Sequence, residues 1–226
     1  QENFAAIEEG SGTDCIILDL RQNDGGYVGN DSQLFSYFAQ DTFRDAASAE
    51  VKSLKIGVKE HLAREQFPKM LERLLAKDFK PSADGRLFMI DEKNRQWKPK
   101  KKAFDGHVLA LISGWTHSGG AVFCSYLLNN DNVTFIGEET GGGHATFTAG
   151  NMVLYDLPNS RCQVEIPLIL YENYRGKKTF PKGSGIRPDH KVTQSQKDLI
   201  NNVDTVMAFA LQLARKAATA KDASEK

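Results

Sequence analysis

Val108-Leu109-Ala110-Leu111-Ile112-Ser113-Gly114-Trp115-Thr116-His117-Ser118-Gly119-Gly120 is the stretch that decides the fold. Its first five residues have the length and apolar, partly β-branched character of a buried strand, which Ser113-Gly114 ends. Ala121, Val122, Cys124, Ser125, Tyr126, Leu127 and Leu128 then predict a helix, with Asn129-Asn130-Asp131 as its stop. Ser118 therefore falls where a strand has ended and a helix begins. Its hydroxyl lies beside unsatisfied backbone N–H groups and the positive end of a helix dipole, the groups an acyl-transfer oxyanion needs. Gly119 and Gly120 remove side chains that would crowd an approaching carbonyl. An ordinary N-cap serine followed by close-packing glycines fits the same pattern, so this stretch alone leaves both readings open.

Working outward, Val133-Thr134-Phe135-Ile136 reads as another short buried strand, leading into Gly137-Glu138-Glu139-Thr140-Gly141-Gly142-Gly143-His144. Upstream, Cys15-Ile16-Ile17-Leu18-Asp19-Leu20 is a strand that runs into Arg21-Gln22-Asn23-Asp24-Gly25-Gly26 and a helix over Asp31 to Ala39. Strand, glycine turn, helix, repeated, is the pattern of βα units on a parallel sheet. A glycine turn of this kind can aim backbone amides at a ligand. Nucleotide binding is disfavoured, because Gly25-Gly26-Tyr27-Val28-Gly29 does not fit G-x-G-x-x-G and no phosphate-loop motif occurs. Phe4 and Ala5-Ala6 before Gly10-Ser11-Gly12 read as the tail of a helix and its stop.

Between Gln40 and Asp105 the chain changes character, which marks residues 40–105 as an insertion. Val58, Leu62, Phe67, Met70, Leu71, Leu74 and Leu75 predict one amphipathic helix over a sheet edge, with His61 on its surface. Arg86 to Ile90 and Arg95-Gln96-Trp97, joined by Asp91 to Asn94, predict a hairpin. Met152 to Leu157 and Cys162 to Leu170, joined by Pro158 to Arg161, predict a second. Leu199, Val203, Val206, Met207, Ala210, Leu211 and Ala214 predict one amphipathic helix, and Ala217 to Lys226 a frayed, charged tail.

A chain of 226 residues, 40% hydrophobic, is long enough for one large domain, here 1–216, with 217–226 as a disordered tail. The 29 basic and 29 acidic residues balance, so nothing asks for nucleic acid or an anionic membrane as partner. Lys98, Lys100, Lys101 and Lys102 read as a solvated loop rather than a docking patch. The three cysteines, Cys15, Cys124 and Cys162, read as small buried hydrophobes. No stretch approaches a membrane span, no signal peptide is visible, and no Cys/His cluster has metal-ligand spacing. Gln1 in place of methionine predicts a mature or excised fragment.

Three separated segments stand out together: Leu18 to Gly26, then Thr116-His117-Ser118 with Gly137 to Gly143, then Gly185-Ile186-Arg187-Pro188-Asp189. In this order they resemble the S41 family of serine peptidases, which includes the tail-specific (C-terminal processing) proteases and the tricorn core protease. The Gly-Glu-Glu-Thr-Gly-Gly-Gly and Tyr-Glu-Asn elements are similar to those of exported peptidases of Bacteroidetes-type bacteria, which implies a periplasmic, cell-envelope or secreted location. The resemblance implies a ClpP/crotonase-like α/β fold, a spiral of βα units, here with an inserted helix and hairpin. It places Ser118 on the nucleophile, and Gly119 with the Gly25-Gly26 turn on the oxyanion hole. Asp19 and Arg21 read as a structural pair bracing that turn.

The general base departs from the family pattern. Tail-specific proteases activate serine with a lysine, and Gly143 stands at the matching position. Tricorn-like members use a histidine upstream of the first motif, so the base lies in an N-terminal part missing from this chain, or one of the five histidines serves. His144, one residue past the lysine position, is the better-placed candidate, since His117 is adjacent to Ser118 and should diverge from it. His107 and His190 read as strand-flanking residues. Glu172 is the candidate assisting carboxylate, with Glu138 and Glu139 behind it. The expected activity is hydrolysis of extended polypeptides through an acyl-enzyme on Ser118, without metal or cofactor. The alternatives are a non-catalytic module of the same fold binding a peptide or apolar ligand, and a crotonase-like acyl-CoA enzyme, for whose adenine nucleotide no sequence feature is present.

Overall fold

The computed structural model describes residues 13–26, 29–63, 67–174 and 178–224. The strands, in chain order, are β1 (Cys15–Asp19), β2 (Phe43–Arg44), β3 (Ser48–Val51), β4 (Phe79–Pro81), β5 (Leu87–Met89), β6 (Gln96–Trp97), β7 (His107–Ile112), β8 (Val133–Gly137), β9 (Thr146–Asp156), β10 (Gln163–Glu172) and β11 (His190–Lys191). The helices are α1 (Asn30–Phe35), α2 (Pro68–Asp78), α3 (Gly119–Leu127), α4 (Gln196–Ile200) and α5 (Thr205–Ser224). The expected helix tail at Phe4 to Gly12 lies outside the described residues. The chain divides into two compact units, one of residues 1–43, 97–145 and 175–226, the other of 44–96 and 146–174. The hairpin after Ala145 thus joins the insertion, where the sequence reading has a single domain over 1–216.

The first unit is built on a four-stranded parallel sheet in the order β1-β7-β8-β11. Its centre is β7, an apolar run without alternation, as expected of a parallel strand covered on both faces. Leu109 and Leu111 of β7 and Ile136 of β8 pack against Val206 and Ala210 of α5. Residues 108, 110 and 112 point to the opposite face by strand alternation and are equally buried. Phe35 of α1, Phe43 and Tyr126 of α3 form an aromatic cluster, with ring centroids 4.7 Å (Phe35–Phe43) and 5.5 Å (Phe35–Tyr126) apart. The buried Ser32 Oγ and Tyr126 hydroxyl meet at 3.1 Å within it.

The predicted final helix is interrupted. α4 starts on a capping box between Ser195 and Asp198 and ends before Asn202, whose φ of 55° breaks the helical path. α5 then starts afresh and runs to Ser224, through most of the residues expected to fray.

The second unit holds an antiparallel sheet in the order β4-β5-β3-β10-β9. The long β9–β10 hairpin appears where alternation predicts it, with Gln163 opposite Asp156. The other hairpin has different partners: β5 pairs with β4, and β6 pairs not with β5 but with β2. The turn that matters is Ser82-Ala83-Asp84-Gly85, where Gly85 takes φ 80° and Asp84 Oδ1 accepts the Arg86 N–H at 3.2 Å. The long amphipathic helix is also cut, because Pro68 opens α2 and disfavours helical backbone at Phe67. Of its apolar positions, Leu75 is buried against Val51, Phe79 and Ile169, while Met70 and Leu74 are exposed.

Candidate active site

β1 and β7 are parallel neighbours, so the turns that follow them leave the sheet from the same edge. Side-chain hydroxyls stitch the two turns together. The fully buried Thr116 donates through Oγ1 to Leu20 O at 2.8 Å and accepts the Ser113 N–H at 3.0 Å. Ser113 Oγ donates to Arg21 O at 2.6 Å. The His117 N–H donates to Asn23 O at 3.1 Å. The sequence reading has Ser113 only as the end of a strand and Thr116 only as part of the Thr116-His117-Ser118 segment, although Ser and Thr close behind an apolar strand are the residue types that satisfy stray backbone groups at its end.

This scaffold presents Ser118 at the N-cap position of α3 in an uncommon way. An ordinary capping serine has extended backbone and bonds an N–H of the first turn through its Oγ. Ser118 has φ 51° and ψ −131°, makes no capping hydrogen bond, and is exposed. Such a non-glycine conformation costs about 1–3 kcal/mol and is held only by surroundings that fix it. Those surroundings are glycines. A Cβ on Gly25, itself at φ 119°, would lie 2.6 Å from Ser118 Cβ and 2.7 Å from Ser118 Oγ. A Cβ on Gly142 would lie 2.4 Å from Ala121 Cβ and 3.1 Å from His117 Cα. A Cβ on Gly119 would come within 3.4 Å of Gly26 N. Ser118, Gly119, Gly25 and Gly26 are therefore brought together. The Gly25 N–H is spent on Asn23 Oδ1 at 3.0 Å. Among the described residues, neither the Gly26 N–H, the Gly119 N–H nor Ser118 Oγ has a hydrogen-bond partner.

The other candidates are engaged elsewhere. His144 is 4% exposed, and both its ring nitrogens face backbone: Nδ1 meets Ser184 O at 3.0 Å and Nε2 accepts the Phe180 N–H at 3.3 Å. These partners fix the tautomer with the proton on Nδ1. The His144 carbonyl lies 3.4 Å from Ser125 Oγ, about two helical turns past Ser118 along α3. The hydrogen bonds described for His144 thus run to Ser184, Phe180 and Ser125. Glu172 belongs to the second unit, where its Oε2 accepts from Ser48 Oγ at 3.2 Å. Glu138 accepts from Thr193 Oγ1 at 3.2 Å, and Glu139 accepts the Gly185 N–H at 2.8 Å. His107 meets Thr134 Oγ1 at 3.1 Å, and the His190 ring lies 5.3 Å from Phe209, both at strand ends.

The third segment closes on the second. Thr140 Oγ1 accepts the Ile186 N–H and donates to Gly142 O, each at 2.8 Å, which ties Gly185-Ile186 to the glycine loop. Asp189 Oδ2 accepts the Phe135 N–H at 2.8 Å and Oδ1 pairs with Lys178 at 2.7 Å. Among the described residues no group of three or more His, Cys, Asp or Glu side chains is placed to hold a metal ion. All three cysteines are free thiols; Cys124 is buried, and burial pushes its thiol above the ordinary range, whereas Cys162 is exposed, contrary to its reading as a buried residue.

Asp19 and Arg21 do brace the first turn, with a third member from outside the motif. Arg21 pairs with Asp19 at 2.6 Å and with Asp204, at the start of α5, at 2.7 Å. The guanidinium hydrogen bonds hold both carboxyls below the usual carboxylate range, and the two carboxylates, Asp19 foremost, push Arg21 further up. Depressed carboxyl pKa values contribute stability that is complete above the unfolded range, about pH 4, and is lost as pH falls below it. Arg21→Met is therefore expected to lower the urea midpoint at pH 7, with the gap from wild type closing toward pH 3. A gap that stays constant with pH would remove the ion triad as its cause.

The profile of peptidase family S41 matches residues 1–192. No curated protein matches the chain. Among solved structures, the chain is similar to a protein from Parabacteroides merdae described as a peptidase, at 19% identity and a TM-score of 0.55, over 93% of this chain and 54% of that one. It is similar to mature CPAF complexed with lactacystin at 17% identity and a TM-score of 0.59, over 95% and 48%. A Bacteroides fragilis protein described as an S41 protease follows at 15% identity and a TM-score of 0.52, over 92% and 46%. The chain thus spans about half the length of these relatives.

Proposed function

The chain belongs to peptidase family S41, and from that premise we propose that it carries the nucleophile and oxyanion site of a serine peptidase acting on polypeptides. The observation that carries the reading is Ser118: a serine at a helix start that does not cap the helix, held at positive φ with its Oγ free beside two unpartnered backbone amides. In the proposed reaction Ser118 Oγ bonds to the carbonyl carbon of a peptide and gives up its proton to a base. The carbonyl oxygen, now an oxyanion, accepts from the Gly26 and Gly119 N–H groups. The C–N bond then breaks, the amine leaves with a proton, and water hydrolyses the ester. We assign the base to no described side chain, and give His144 the role of pinning the 180–184 loop with both of its nitrogens. On the same reading the βα units form a ClpP/crotonase-like spiral, and the protein works outside the cytoplasm. No helix among the described residues is long and apolar enough to cross a membrane.

Treating the chain with a fluorophosphonate and measuring intact mass tests this. One adduct is expected, and Ser118→Ala is expected to reduce it by at least about 100-fold. A folded chain that takes up no label, both alone and within a longer protein that carries it, would sink the peptidase reading. The second reading, a non-catalytic module of the same fold, is favoured by the lack of any described proton acceptor on Ser118 Oγ. Unlabelled chain would leave that one standing.

A further inference from the structure

The S41 reading assigns the oxyanion site to two glycine turns but does not say what decides which amide of the Gly25-Gly26 pair faces the substrate. Adjacent glycines are the most freely rotating pair a chain can offer, so some group must fix them. We propose that Asn23 is the positioning residue of the oxyanion site: its side-chain oxygen ties down the Gly25 N–H, leaving the Gly26 N–H as the amide that works with Gly119. The inference rests on the peptidase reading and goes beyond it by naming the residue that orients the donor.

Three observations converge on Asn23. Its Oδ1 accepts the Gly25 N–H at 3.0 Å, the two-residue-on hydrogen bond by which asparagine organises a tight turn. Its main-chain oxygen accepts the N–H of His117, the residue before the nucleophile, at 3.1 Å. It is also wedged against the start of α3, where a Cβ on Gly120 would lie 2.5 Å from Asn23 O and 3.0 Å from Asn23 Oδ1. Asn23 therefore bolts the turn bearing Gly26 to the turn bearing Ser118 and Gly119. With the side-chain bond in place, the Gly25 N–H cannot compete for the oxyanion. Without it, the Gly25-Gly26 peptide can rotate and the Gly26 N–H loses its aim.

Losing one oxyanion donor costs about 10²–10³ in rate, and a donor left present but unfixed should cost less, about 10- to 100-fold. The test follows the rate constant for fluorophosphonate labelling of Ser118 in wild type, Asn23→Ala and Asn23→Ser, alongside amide hydrogen exchange at Gly25 by NMR. Asn23→Ala is expected to label about 10- to 100-fold more slowly, with fast exchange at Gly25. Asn23→Ser, whose hydroxyl can make the same turn bond, is expected to recover to within about threefold of wild type. Should Asn23→Ala fail to fold, wild type itself answers: on labelling, the Gly26 and Gly119 amides gain protection while Gly25 is unchanged. Labelling of Asn23→Ala at the wild-type rate with Gly25 exchanging freely, or new protection at Gly25 on labelling, overturns the proposal while leaving the peptidase reading intact. Wild type that takes no label, both alone and within a longer protein that carries it, ends both.

Discussion

Gly25→Ala is expected to abolish fluorophosphonate labelling, by more than about 10³-fold, while costing only about 1–3 kcal/mol of stability. Two effects act together. The residue sits at φ 119°, which side-chain-bearing residues rarely adopt, and its new methyl would lie 2.6 Å from Ser118 Cβ and 2.7 Å from Ser118 Oγ. Relief requires either Ser118 to swing away or the Gly25-Gly26 turn to retreat, and each separates the nucleophile from the proposed oxyanion donors. Stability suffers less, because the turn is at the surface end of the sheet rather than within its core. Gly57→Ala, where a methyl meets nothing within 4 Å, is the control for the substitution itself. Gly25→Ala that labels at the wild-type rate would show that the Gly25 turn and Ser118 do not act on the same carbonyl.

The second large effect is on folding. Gly137→Ala is expected to destabilise the chain by about 3 kcal/mol or more. Gly137 ends β8 opposite Ile112 at φ 121°, and a Cβ there would fall 2.2 Å from Ile112 O. That oxygen accepts the Glu138 N–H at 3.0 Å, while Gly137 O accepts the Val192 N–H, also at 3.0 Å. The methyl would therefore pry β7 from β8 at the edge from which both loops leave. Urea titration reads this as a lower midpoint with an unchanged slope. A midpoint within experimental error of wild type would mean that the strand ends separate freely.

Three strands of the parallel sheet were legible because Cys15 to Leu18, Val108 to Ile112 and Val133 to Ile136 are short, mostly apolar runs bounded by turn residues, whereas the two-residue, polar β11 carries no such signal. Ser118 was legible for its position, but spacing cannot reveal a φ of 51°, which is what separates it from a capping serine. The Asp19–Arg21 pair was visible, whereas Asp204, 183 residues further on, could join it only through the fold. Periodicity misled over Val58 to Leu75 because it counts apolar positions and ignores that Pro68 must begin a helix. The hairpin at Arg86 to Trp97 took its wrong partner because the Asp84-Gly85 turn signal lies on the other side of β5. His144 has the spacing of a base, and its hydrogen bonds to the Phe180 and Ser184 backbone are ones that no local pattern encodes.

The division into two units that share the chain in alternating pieces also governs the order in which the molecule can be made. Val51 must pair with Ile169, and Asp19 helps fix an arginine that Asp204 completes, so neither unit is finished until most of the polypeptide has been synthesised. At about 5–20 residues per second, β3 waits on the order of ten seconds for β10 to emerge from the ribosome. Through that interval the apolar faces of β3 and β7 have no complete set of neighbours, and long-range pairing of this kind is slow once it starts. The same interleaving means that no single cut in the gene can release either unit whole.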